Sequence, residues 1–107
     1  MGMKPPSSVQ VGPYKYRVIV SKMAIIKANA DAKDSRVGES DHSKQIITID
    51  PKLGPDQLVE TLLHEVLHAV NQVGGRFLDE DDVLRLSPLL LDTLRRNPEL
   101  VEYLLNG

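Results

Sequence analysis

The chain has 107 residues, 41% hydrophobic and 26% charged, with a formal net charge of −2 and no cysteine. That length predicts one domain, able to bury about two-thirds of its unfolded surface. Disulfides and thiolate metal sites are excluded, no basic excess points to nucleic acid, and any metal must be held by His, Asp or Glu.

Residues 1–13 open the chain with "MGMKPPSSVQVGP" and are expected to be loosely ordered. They lack the apolar centre of a secretory signal, and Pro6 stands where a myristoylation signal wants Ser or Thr. No apolar run approaches the ~18 residues needed to span a bilayer. The expectation is a cytoplasmic protein without a membrane partner, built as a single minimal domain over 14–107.

"YKYRVIVS" (14–21) alternates, with Tyr14, Tyr16, Val18 and Val20 on one face, and predicts a half-buried strand. Val9 to Val11 pairs with it or leads into it, punctuated by Gly12-Pro13. Residues 22–36 mix helix-forming Ala and Lys with poor apolar spacing, and are read as a short helix or an ordered loop. "VGESDHSKQIITID" (37–50) predicts two strands around a polar turn at Ser40 to Ser43. Gly54-Pro55-Asp56 opens a helix expected to run to about Gln72, with Gly74-Gly75 as its stop. A second helix is expected from an Asp79 cap to about Arg96, kinked or restarted at Pro88 with Ser87 as a new cap. Asn97-Pro98 breaks it before a short last helix, "PELVEYLL". The fold class expected is α+β: a small antiparallel sheet of about three strands, packed on the first helix and the second, with the short last helix.

The first helix carries "TLLHEVLHAV" (61–70). Positions i and i+4 lie about 40° apart around a helix, so His64 and His68 project side by side and can converge on one ion. Glu65, rotated about 100° from His64, is badly placed as a third ligand and well placed to accept a proton from water. The neighbours are apolar nearly all round, which predicts a buried helix. Two histidines and a carboxylate are costly there without a partner. The competing reading is a core helix whose histidines are hydrogen-bonded to neighbours.

On these residues the chain resembles the zincin metallopeptidases, with Thr61 and the apolar positions fitting the longer form of their motif. It departs from the metzincin pattern, which needs Gly and His where Asn71 and Gly74 stand, and it lacks the "NExxSD" stretch of thermolysin-like enzymes. No downstream histidine matches the SprT-like group. The chain is more similar to small gluzincin-type proteins of phages and mobile elements, the ImmA/IrrE-like group. In those, a second helix supplies an acidic ligand from a stretch reading E-x-x-A-x-x-F-A. Here Glu80, Val83, Leu86 and Ser87 stand at the matching positions, a match of pattern rather than letters.

The turn at Gly74-Gly75 brings "LDEDDV" back toward the histidines, which points to the same acidic run. Asp79 is expected as the cap, with Asp82 completing it. Glu80, which shares a face with Val83 and Leu84, is the expected third ligand, with Asp81 second. An acidic, solvated helix start is the plain alternative for the whole run. His42 is expected as a solvent-facing turn residue, with substrate contact as its functional alternative. Tyr103 is expected to pack with one end wet, with oxyanion contact as its alternative.

The function expected from the motif and the resemblance is zinc-dependent peptide-bond hydrolysis. Metal-activated water would attack a peptide or protein substrate, with Glu65 as general base. "QIITID" is the expected edge for an extended peptide. The alternative is a zinc-stabilised, catalytically inactive binding or accessory module, in keeping with a phage origin. Nickel, cobalt and iron accept the same ligands. The sequence leaves the oligomeric state open.

Overall fold

The computed structural model describes residues 3–22 and 37–107. The helix or loop expected over 22–36 therefore lies outside the described residues, save for Lys22. Four strands, β1 (Ser8–Val11), β2 (Tyr14–Val20), β3 (Gly38–Asp41) and β4 (Ile46–Ile49), form one sheet in the order β1-β2-β4-β3. The α+β class stands as expected. The sheet differs from expectation in having four strands and in being mixed: β1 pairs antiparallel with β2 and β3 antiparallel with β4, but β2 and β4 run parallel. Strand direction cannot be read from alternation, because parallel and antiparallel strands share the two-residue period.

β1 brings Ser8–Val11 of the segment expected to be loosely ordered into the sheet, with Val9 to Val11 paired to β2. Its hairpin with β2 turns on Gly12, whose φ of 55° suits a residue without Cβ, followed by Pro13. The hairpin tip rests on the far end of the first helix, since a Cβ on Gly12 would meet Val73 Cγ1 at 3.2 Å. The polar turn between β3 and β4 spans His42 to Gln45, later than the expected Ser40 to Ser43. Ser40 and Asp41 belong to β3, held opposite Ile47 and Ile46.

Three helices follow: α1 (Pro55–Val73), α2 (Glu80–Arg96) and α3 (Pro98–Asn106). α1 lays Leu58, Leu62, Val66, Ala69 and Val73 on the sheet, at helical spacing, against Val11, Tyr16, Ile47 and Ile49. Ile47 and Ile49 are fully buried, each worth about 1.5–3 kcal/mol of apolar transfer. α1 is not buried all round, as Val59 and Val70 are exposed. Its burial is a stripe, and the histidines lie off that stripe.

α1 ends at Gly74, whose N–H donates to the Val70 carbonyl, and Arg76 N–H donates back to the Asn71 carbonyl at 2.7 Å. This is a Schellman-type closure, with Gly75 in the left-handed region at φ 106°. Asn71 then clamps the returning chain: its side-chain amide donates to the Leu78 carbonyl at 2.8 Å and accepts the Leu78 N–H at 2.9 Å. α2 starts two residues later. Asp79 and Asp82 form a reciprocal capping box, as expected. The helix runs through Pro88 unbroken, and Ser87 does not cap a restart, because its hydroxyl donates to the Val83 carbonyl. Among the described residues no helix is long and apolar enough to cross a membrane.

Candidate metal centre

Val83 and Ser87 are the buried residues of α2, so its inner stripe turns Glu80 toward α1. Glu80 Oε2 lies 2.7 Å from His68 Nε2, Glu80 Oε1 lies 3.2 Å from His64 Nε2, and the two Nε2 atoms are 3.1 Å apart. Donor atoms of these three residues all fall within 4.8 Å of one another. Atoms tetrahedrally placed at zinc's ~2.0–2.1 Å bond length would lie about 3.3 Å apart. The spacing fits such an ion with small adjustment.

The tautomer of His64 also fits. Ser87 Oγ commits its proton to the Val83 carbonyl at 2.9 Å, so at 3.3 Å from His64 Nδ1 it acts as an acceptor. Nδ1 then carries the imidazole proton and Nε2 keeps its lone pair for a metal. Burial lowers the His68 pKa against the opposing pull of Glu80, which favours the neutral, ligating form.

Glu65 is buried between the core stripe of α1 and the histidines. Ser40 Oγ on β3 lies 2.8 Å from Glu65 Oε1 and 3.0 Å from the Glu65 carbonyl oxygen, donating to this pair. Burial raises the Glu65 pKa, while the Ser40 hydroxyl and His64 pull it down. Gly38 allows the strand to come this close. A Cβ there would meet Thr61 Cγ2 at 2.7 Å and Glu65 Oε2 at 3.1 Å.

The centre opens into a cavity of about 820 Å³ bounded by β3, α1 and the start of α2. β4 is not its edge, since it lies between β2 and β3; among the described residues the sheet ends on this side at β3. Asp50 N–H donates to the Val37 carbonyl, and the β3–β4 register alternates from there. Gly38 and Ser40 therefore turn their N–H and C=O groups away from β4, toward the open side.

His42 lines this cavity, half-buried, rather than facing solvent. Asp81 is exposed and stands outside the ligand cluster. Tyr103 is 72% exposed and belongs to a separate groove with Glu99 and Glu102, so it does not reach the site. Ser40, Asn71 and the acceptor role of Ser87 were missed from sequence. The available signal was a polar residue at a position facing into packed elements, which only becomes visible once the faces are known. Comparison with family models, curated proteins and solved structures finds no match for this chain.

Proposed function

We propose that this protein is a zinc-dependent peptidase of the zincin kind, resembling the ImmA/IrrE-like gluzincins. The observation that carries the reading is the convergence of His64, His68 and Glu80 at one end of a cavity, with Glu65 beside them on α1. His64, His68 and Glu80 would hold the ion. Zinc at that place would make water acidic enough to ionise near neutral pH and would polarise a carbonyl.

The chain's own groups do the rest. The free N–H and C=O groups of Gly38 and Ser40 receive an extended peptide as an added strand, laying its backbone along the cavity. Glu65 takes the proton from water as the water oxygen adds to the carbonyl carbon. When the C–N bond breaks, Glu65 returns that proton to the departing amine, leaving a free amine and a carboxylic acid that gives up its remaining proton to solvent. Its raised pKa suits a group that must both accept and return a proton. Ser40 holds the carboxylate in place between the two transfers.

A second reading, a metal-stabilised accessory module without turnover, draws on the engagement of Glu65 by Ser40 and its 6% exposure. One substitution separates them. Purified protein should carry about one zinc per chain, and Glu65→Gln should keep that zinc while losing peptide cleavage by about a hundredfold or more. Metal-free wild type after growth in zinc-supplemented medium would sink both readings. Wild type that holds zinc and cleaves nothing in a broad peptide library would leave the accessory module.

A further inference from the structure

The turn after β3 carries a histidine that the ion-binding set does not use. Gly38 and Ser40 share the face of β3 that meets α1, at Thr61 and Glu65 respectively. His42, two residues on, lines the same cavity as His64, Glu65 and His68. Its ring is held from behind. Tyr16, on β2 and only 2% exposed, places its hydroxyl 3.0 Å from His42 Nδ1, and the two rings meet edge to face at 5.9 Å.

The direction of that hydrogen bond follows from burial. Tyr16 is buried, and His42 Nδ1 is the acceptor within reach of its hydroxyl among the described residues; accepting from an Nδ1–H instead would leave the phenol proton unpaired in the core. A phenol that donates to Nδ1 leaves the neutral imidazole with its proton on Nε2. Nε2 is the far side of the ring from Tyr16. The core thus presents a fixed N–H donor to the cavity from a turn that would otherwise be free to rotate it.

We propose that His42 donates its Nε2–H to the reacting carbonyl oxygen of the peptide, and that Tyr16 is the positioning residue that fixes this tautomer. The assignment rests on the hydrolytic reading above. As water adds, the carbonyl electron pair moves onto that oxygen, and a donor already aimed there stabilises the charge without reorganising. Tyr103, the sequence's other candidate for this task, is too far out on α3 to serve.

The test combines a direct view of the ring with a ligand and a rate. Nitrogen-15 NMR of the histidine side chains should show His42 as the Nε2–H tautomer in the wild type and as a mixture in Tyr16→Phe. In the zinc-loaded protein, His42→Ala should keep zinc affinity. It should bind a peptide phosphonamidate, a mimic of the tetrahedral anion, at least tenfold more weakly. Its kcat should fall about a hundredfold with KM little changed. His42→Gln, which retains an N–H donor, should recover part of both losses. Tyr16→Phe should lose about tenfold in kcat alone, and nothing further when added to His42→Ala. An Nδ1–H tautomer in the wild type overturns the proposal, as does His42→Ala with wild-type kcat and phosphonamidate affinity. A wild type that neither cleaves peptides nor binds the phosphonamidate overturns the hydrolytic reading and this assignment together.

Discussion

Glu80 bridges both histidines with its two carboxylate oxygens, yet its side chain remains 64% exposed. The neighbouring acids have other work. Asp79 and Asp82 cap α2 through each other's N–H groups, and Asp81 is exposed and outside the cluster. The four acids should therefore separate by substitution. Glu80→Ala should weaken zinc binding by a hundredfold or more, while Asp81→Ala leaves it unchanged. Asp82→Ala should spare the metal but cost about 1 kcal/mol of stability from the lost cap. Isothermal titration with zinc and urea unfolding of the three variants would show this; equal zinc affinities for Glu80→Ala and Asp81→Ala would remove Glu80 from the ligand set. His64, Glu65 and His68 were legible in the sequence because helical spacing alone sets their mutual placement, and Glu80 because the Gly74-Gly75 turn and the face it shares with Val83 and Leu84 point it back toward them. His42 was not, because its role depends on Tyr16 from a strand 26 residues earlier. Periodicity carries no information about such a pairing.

At the level of elements, the close approach of β3 to α1 is what joins the sheet to the metal centre. Gly38 is the point of closest contact, and Thr61 opposite is β-branched on a helix, with little freedom to swing aside. Gly38→Ala should destabilise the fold by about 1–3 kcal/mol and loosen the Ser40–Glu65 contact. Chemical denaturation would measure the first, and a stability within about 0.5 kcal/mol of wild type would mean that the strand does not depend on this glycine. Helix starts and stops were readable here because Gly54-Pro55, Gly74-Gly75, Asp79 and Asn97-Pro98 each act on the backbone locally. Strand order was not. The parallel pairing of β2 with β4 moved the free edge from "QIITID" to β3, and with it the groove where a peptide would lie.

For the whole molecule, the cluster of His64, His68 and Glu80 joins α1 to α2, and α1 in turn carries the sheet. An ion held there binds only the folded chain, because the unfolded one scatters its donors. Zinc at about 100 times its dissociation constant should add about 2.7 kcal/mol of stability. For a domain of this size that raises the melting temperature by about 10–20 °C. Scanning calorimetry with zinc and then with a chelator would show the rise and its reversal; an unchanged midpoint would argue against any ion at this centre. The Asn71 clamp on Leu78 has a consequence for how such a chain tolerates change in length. It fixes where the returning chain begins to coil, so the acid that meets the histidines is chosen by counting residues from Leu78. A one-residue slip after that point would rotate α2 by about 100° and offer Asp79 or Asp81 in place of Glu80. The run of four acids is a vernier: insertion or deletion there exchanges one carboxylate for another of different reach, where a single acid would be lost outright.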